Sequence, residues 1–150
     1  MKKILLTLII SLTLISCKKE NNYDNDAELC EIMSKMTTDD QRIRNMELLN
    51  NGSEKQKDSL WEIQNSIDKK NTELLIDITK KRGWVSKAEL KCKKYMAPVV
   101  IFRHSPKEYW NEIREIIKTE SDAGRMGSGD FMFIENNLEG RPDFDFKITE

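Results

Sequence analysis

Apolar residues recur at intervals of three and four along much of this chain, the spacing of one buried face of an α-helix. The longest run predicts a helix from about Glu54 to Arg82, with Ser53 and Gln56 forming a capping box at its start. Gly83 follows directly and is well placed to end it. The apolar positions of this helix are Leu60, Ile63, Ile67, Leu74, Leu75 and Ile78.

Shorter runs predict helices on both sides of the long one. Asp39 or Asp40 is predicted to cap a short helix that ends before Gly52, and Ser86 with Glu89 forms a second capping box that predicts a lysine-rich helix. Ser105-Pro106 marks the start of a further helix. Its packing face is Tyr109, Trp110, Ile113, Ile116 and Ile117.

Two segments are ambiguous in the hydrophobic pattern. The stretch from Ala97 to Phe102 is apolar all round and predicts a buried central helix, with a short strand as the alternative. After a Gly-Ser-rich loop from Ser121 to Gly129, aromatic residues alternate at period two and could form a small β-hairpin. These residues are Phe131, Phe133, Phe144, Phe146 and Ile148. We therefore predict a mainly α-helical domain of about five helices, with or without this C-terminal hairpin.

The first residues have the pattern of a bacterial lipoprotein signal. Lys2 and Lys3 precede an apolar stretch from Ile4 to Ile15, and Ser16-Cys17 follows it. A membrane-spanning helix needs about 20 apolar residues, so this stretch is too short and is predicted to be removed. Cys17 would then carry the lipid, and several acyl chains make such an anchor effectively permanent. The alternative is an ordinary secretory signal that merely contains a cysteine.

The residues after Cys17 predict where the anchored domain lies. Residue 18 is lysine and not the aspartate that holds many lipoproteins at the inner membrane, so an outer-membrane destination is favoured. Residues 18–26 contain no aliphatic side chain and predict a solvated, flexible tether. We therefore divide the chain into a signal peptide (1–16), a lipidated cysteine with its tether (17–26) and a single helical domain (27–150).

Charge and cysteine content exclude several classes of function. Removal of residues 1–16 takes away two lysines and changes the formal charge from −1 to −3, which argues against nucleic acid as a partner. Cys30 and Cys92 remain, either joined as a disulfide or separate as small apolar side chains. With His104 as the single histidine, they form no zinc pattern, and we expect neither a metal nor another cofactor.

The long helix carries polar residues within its apolar stripe. Asn71 lies one turn from Ile67, and Asp68 and Gln64 lie on the same edge of the helix. A polar group that faces a core costs about 1 to 3 kcal/mol unless it is hydrogen-bonded, so partners must exist. The candidate partners elsewhere in the chain are Gln41, Arg42 and His104.

Two interpretations of these residues remain open. In the functional one, Asp68 orients or charges His104, while Asn71, Gln41 and Arg42 hold a polar or anionic ligand. In the structural one, Arg42 pairs with Asp68 and His104 bonds to a backbone carbonyl, forming a buried network that fixes helix register.

The same residues resemble a bacterial family, domain of unknown function 6624, which often follows lipoprotein signals. The resemblance covers about residues 39–105 and implies a mainly helical fold with a shared polar cluster, but no known reaction. It is carried, in order along the chain, by Asp40-Gln41-Arg42, Asp68, Asn71, Gly83-Trp84 and His104-Ser105.

The chain also departs from this family. The family usually has glutamine before the histidine, where this chain has Arg103. It also carries an Asp-Arg pair and a later Gln-x-Tyr-Gly-Thr-like segment, where this chain has Glu135-Asn136 and the stretch Asp143-Phe144-Asp145-Phe146. If the family residues complete a polar site, this chain has lost half of it.

Three functions fit the sequence. The first is a non-enzymatic envelope lipoprotein whose helical domain binds another envelope protein or a small polar ligand. The second is a hydrolase or transferase that uses His104 and Asp68 as an acid-base pair. The third is an immunity or inhibitor lipoprotein, suggested by small size and lipid anchoring.

Overall fold

The computed structural model describes residues 22–44 and 51–141, and within them the fold is mainly helical, as predicted. The described residues form five α-helices and one 3₁₀ turn, which covers Lys107–Tyr109. The helices are α1 (Asp26–Arg42), α2 (Glu54–Arg82), α3 (Pro98–Arg103), α4 (Trp110–Asp122) and α5 (Ser128–Leu138). No helix in this part of the chain has both the length and the apolar character that a bilayer crossing requires.

Helix α1 begins earlier than the sequence predicted. Asn25 caps it by accepting hydrogen bonds from the backbone N–H groups of Ala27 and Glu28. Asp40, predicted to lie at the start of a helix, is instead near the end of α1, and most of the helix predicted after it lies outside the described residues. Tyr23, placed by the sequence in the tether, is buried and donates a hydrogen bond to Asp77 at 2.7 Å.

Helix α2 has the bounds that the sequence predicted. The Ser53–Gln56 capping box is present, and Gly83 ends the helix with φ +89°. Its second half is buried at Leu75 and Ile78. Helices α1, α3 and α4 all pack against α2, which is the longest of the described helices.

Helix α3 lies at the centre of the domain, where it contacts α1, α2 and α5. The apolar stretch is therefore a helix and not a strand, with Pro98 in its first turn and Phe102 fully buried. The last residue of α3 is Arg103, and the chain then enters a turn at His104. Burial of α3 therefore places His104 close to α1.

The segment between α2 and α3 does not form the predicted lysine-rich helix. Ser86 Oγ accepts a hydrogen bond from the backbone of Glu89, as in a cap, but the chain continues as turns over residues 87–91. Cys92 forms a disulfide with Cys30 of α1. The bridge holds this segment against α1, where Leu90 and Met96 are buried.

The C-terminal part is helical as far as it is described. Phe131 and Phe133, assigned by the sequence to a strand of a hairpin, lie in α5. The residues predicted for the second strand, 144–148, are outside the described residues. The hairpin is therefore not seen, and α5 packs on α3 and α4 instead.

Candidate functional site

The histidine of this chain bonds to a carboxylate on the neighbouring helix. His104 Nδ1 lies 2.9 Å and 3.0 Å from the two carboxylate oxygens of Asp40. The Asp40 side chain is 1% exposed and that of His104 is 17% exposed. Because an ionised carboxylate only accepts hydrogen bonds, Nδ1 carries the proton, and Nε2 is the ring nitrogen left for another partner.

Asp40 is buried because of its place on α1. It follows Met33, Met36 and Thr37 at helical spacing, and all three are buried. The same stripe that packs α1 into the core therefore carries a carboxylate at its C-terminal end. This carboxylate also accepts a hydrogen bond from the exposed Gln41 side chain.

Arg44 connects Asp40 to a second buried carboxylate. Its Nη2 donates to the two oxygens of Asp68 at 2.7 Å and 2.6 Å, and its Nε lies 3.6 Å from Asp40 Oδ2. The guanidinium thus lies between a residue of α1 and one of α2. Charge-assisted bonds of this kind are roughly twice as strong as bonds between neutral groups.

Gln64 completes the connection between α1 and α2. Its amide nitrogen donates to the backbone oxygen of Asp40 at 3.2 Å and to Asp68 Oδ1 at 2.7 Å. Both amide hydrogens are used by these bonds, whereas Gln64 Oε1 is buried and has no donor among the described residues. The polar network therefore consists of His104, Asp40, Arg44, Asp68 and Gln64, and we call it the buried polar network.

The structure brings together only part of the predicted site. Asp68 lies in the buried polar network, but the carboxylate bonded to His104 is Asp40 and not Asp68. Arg42 is exposed, and the arginine paired with Asp68 is Arg44. Gln41 is exposed, and its amide nitrogen donates to Asp40.

Asn71 takes part in a separate contact. Its amide nitrogen donates to the backbone oxygen of Met36 at 3.1 Å, one helical turn before Asp40. This bond fastens α2 to α1 inside the core. The amide nitrogen of Asn71 therefore contacts α1 at Met36 and not His104.

Arg44 and the role of Asp40 were missed because α1 was predicted in the wrong place. With Asp39 or Asp40 predicted to cap a later helix, the capping side chain is expected to bond to the backbone of that helix. The usable signal was the spacing of Asp40 and Arg44, four residues apart, which brings opposite charges together at a helix end. In a helix that begins at Asp26, Asp40 lies on the same buried face as Met33 and Met36.

The charges of the buried polar network do not cancel when His104 is neutral. Two carboxylates face one guanidinium, which leaves a net charge of −1, and a proton on His104 brings it to zero. The network can therefore hold a hydrogen-bond donor at Nε2 of the neutral ring or an acidic group beside the protonated ring.

Other types of reactive site are absent from the described residues. Within 22–44 and 51–141, no three His, Cys, Asp or Glu side chains are grouped to hold a metal ion. In these same ranges, the side-chain hydrogen bonds of His104 go to Asp40, and no hydroxyl or thiol bonds to the ring. The arrangement therefore lacks the nucleophile of a catalytic triad.

A third buried carboxylate lies beside the C-terminal end of α2. Glu120 of α4 accepts two bonds from Arg125 at 2.6 Å and 2.8 Å and one from the backbone N–H of Trp84 at 2.8 Å. The bonds from Arg125, followed by the bond from Trp84, lower the pKa of Glu120 below its ordinary value. Trp84 itself is buried, as expected for a core residue, so we assign this cluster a structural role.

No family model, curated protein or solved structure matches this chain. The resemblance to the family of unknown function therefore stays a prediction, carried by the ordered residues named above.

Proposed function

We infer that the protein is a lipid-anchored lipoprotein of the bacterial envelope whose helical domain binds a small polar ligand at His104. The observation that carries the ligand site is the hydrogen bond between His104 and the buried Asp40. Asp40 fixes the orientation of the ring and leaves Nε2, on the more exposed side chain of the pair, as the contact for a ligand. A hydroxyl or an acidic group is the chemistry that suits this nitrogen.

The burial of the polar network favours ligand binding over catalysis. All three of Asp40, Asp68 and Gln64 are buried, and Gln64 bonds both to the backbone oxygen of Asp40 and to the carboxylate of Asp68. Asp40 therefore holds His104 in place without facing solvent. A binding site needs a fixed contact atom, which the network supplies. Acid-base catalysis would additionally need a reacting group within hydrogen-bond reach of Nε2.

The disulfide supports the proposed export. Disulfides form and persist in oxidising compartments and are rare in the bacterial cytosol. The Cys30–Cys92 bond therefore fits a protein that leaves the cytoplasm, as the signal pattern before Cys17 predicts. Lys18 after that cysteine supports the outer membrane as its destination.

The ligand site is tested by ¹⁵N NMR of the His104 ring in the mature chain, because this is its single histidine. We expect Nδ1 to carry the proton in the neutral ring, and acetate, phosphate or glucose to shift the Nε2 signal in a saturable way. His104→Gln removes the contact and should abolish calorimetric binding of that probe, whereas the exposed Lys70→Gln should not. Failure of every probe to shift Nε2 would contradict the proposed site.

The anchor is tested separately by mass spectrometry of the protein purified from membranes. We expect an N-terminal peptide that begins at Cys17 and carries acyl chains, and we expect Cys17→Ser to release the protein into the soluble fraction. An unmodified peptide that begins at another residue would contradict the anchor without affecting the ligand site.

A hydrolase or transferase is the second candidate, with Asp40 in place of Asp68 as the partner of His104. It is favoured by one observation, the carboxylate bonded to Nδ1, which is how a general-base histidine is oriented. We expect slow hydrolysis of a simple nitrophenyl ester that Asp40→Asn reduces and His104→Gln abolishes. Equal rates for the parent protein and His104→Gln would rule out this role.

A further inference from the structure

A lysine-rich loop lies beside the end of α1 at which the chain arrives from Cys17. We call residues 87–95 the basic loop. Cys92 of this loop is bonded to Cys30, which lies one helical turn from the start of α1. Lys94 also pairs with Glu31 of α1. The loop is therefore fixed to the end of the domain that is nearest the proposed lipid anchor.

The backbone of the basic loop turns its lysines outward. Leu90, Cys92 and Met96 are buried, while the lysines between and around them are exposed. The turn is closed by a hydrogen bond from Cys92 N to Lys87 O at 3.1 Å, and Lys91 has the left-handed φ of +51°. Because the loop is already held by the disulfide, little conformational entropy is lost when its surface binds a partner.

The basic loop carries an excess of positive charge. Its charged residues are Lys87, Glu89, Lys91, Lys93 and Lys94, which gives four positive charges and one negative, or a net charge of +3. Among the described residues, Lys87, Lys91 and Lys93 form no ion pair, so their charges face solvent. Tyr95 follows them and is 67% exposed.

We propose that the basic loop binds the anionic phospholipid surface of the membrane in which Cys17 is anchored. The proposal rests on the proposed lipid anchor. Each lysine near a negatively charged leaflet contributes favourably to the free energy of membrane binding. Tyrosine is enriched at membrane interfaces because its ring is apolar and its hydroxyl is polar. The loop presents both kinds of side chain from one rigid turn.

The tether length keeps this surface close to the lipid. Tyr23 is already buried in the domain, and the six residue steps from Cys17 to Tyr23 span at most about 20 Å even when fully extended. Anchoring therefore makes contact of the loop with the bilayer an intramolecular event, which raises its effective concentration. A membrane suits the loop better than nucleic acid does, because the proposed anchor already holds the loop at a lipid surface.

The test uses the mature chain, residues 17–150, with Cys17→Ser so that no acyl chain contributes to binding. Its co-sedimentation is measured with vesicles of phosphatidylcholine alone and with vesicles that also contain phosphatidylglycerol. We expect salt-sensitive binding to the anionic vesicles only. Each lysine is expected to raise the affinity for anionic vesicles about fivefold. The triple variant Lys87→Gln, Lys91→Gln, Lys93→Gln should therefore bind about a hundredfold more weakly.

A matched variant separates the loop from general charge. Lys55→Gln, Lys70→Gln and Lys118→Gln remove the same three charges from exposed positions on α2 and α4 and should leave binding nearly unchanged. Equal loss in both triple variants, or no binding by the parent chain, would overturn the proposal. Because this chain is unacylated, either result leaves the anchor at Cys17 to be judged by its own mass measurement.

Discussion

The Asp68 carboxylate joins α2 to the end of α1 through Arg44 and Gln64. Asp68 is buried and accepts bonds from Arg44 and Gln64, both of which also contact Asp40. An ion pair of this kind is a weak source of net stability, yet its disruption is costly because the remaining charge stays buried. The contact therefore specifies how α1 and α2 meet more than it strengthens the fold.

We expect Asp68→Asn to destabilise the domain by about 3 kcal/mol, because Arg44 loses its ionised partner. The free energy of unfolding is measured by urea denaturation of the mature chain. Asp58→Asn on the exposed face of α2 is the matched control and should change stability by less than about 0.5 kcal/mol. Equal stability of the two variants would contradict the ion-pair network.

Gly83 meets both a conformational and a steric requirement. Its φ is +89°, and a Cβ atom at this position would lie 2.9 Å from Arg125 Nε. We expect Gly83→Ala to cost about 1 to 3 kcal/mol, from the strain of a left-handed residue and from displacement of Arg125. The measurement is the thermal midpoint of the mature chain.

Gly129→Ala is the control for this substitution. Gly129 lies within α5, and a Cβ atom there has nothing within 4 Å. Alanine in a helix is favoured over glycine, so this variant should be stabilised by up to about 1 kcal/mol. A Gly83→Ala variant as stable as Gly129→Ala would show that neither φ nor the Arg125 contact constrains the position.

At the scale of elements, the segment between α2 and α3 is held by packing and a covalent bond, not by helical structure. Leu90, Cys92 and Met96 are buried along it, and Ala97 N donates to Thr37 Oγ1 of α1 at 3.0 Å. These contacts lead directly into Pro98, the first residue of α3. The position of α3, and hence that of His104, therefore depends on this segment.

We expect the double variant Cys30→Ala, Cys92→Ala to lose about 4 kcal/mol of stability, the value that the chain-entropy model assigns to a loop of this length. Urea unfolding of the parent chain with and without a reductant should show the same difference. A reductant that lowers the stability of the parent but not that of the double variant confirms the assignment to this bond. Insensitivity of the parent to reductant would contradict it.

At the scale of the whole molecule, stability should fall in acid because buried carboxylates accept hydrogen bonds as anions. The bonds to Glu120 from Arg125 and Trp84 lower its pKa below the ordinary 4.5. A carboxyl with a lowered folded-state pKa adds stability at pH values above its unfolded pKa, and that stability is lost as pH falls through the folded value. The effect therefore appears below about pH 4.5.

We expect Glu120→Gln to remove this part of the pH dependence. At neutral pH the variant should be about 1 to 3 kcal/mol less stable than the parent, since Arg125 and Trp84 lose a charged acceptor. Below the folded-state pKa the two proteins should become similar, because Glu120 is then protonated in the parent. Urea unfolding across pH checks this, with the exposed Glu115→Gln as the control, which should follow the parent at every pH.

Much of the fold could be predicted from local patterns, and the failures have identifiable causes. The bounds of α2 followed from a capping box and a terminal glycine, both of which act through the nearest turn of backbone. The start of α1 was missed because Asn25 was read as part of a polar tether and its capping role was overlooked. The cap at Ser86 formed without a helix, since burial of Leu90 and the bond at Cys92 outweighed helix propensity.

The sequence by itself determined the helical class, the extent of α2, the burial of the segment before His104 and the presence of polar residues that need partners, because all of these follow from side-chain periodicity and capping. Only the tertiary structure decided the partners: Asp40 and not Asp68 for His104, Arg44 and not Arg42 for Asp68, and a bond between Cys30 and Cys92. Such pairs lie 24 to 64 residues apart in the chain. Their pairing depends on how whole helices pack, since a shift in where α1 begins changes which of its side chains face α2 and α3.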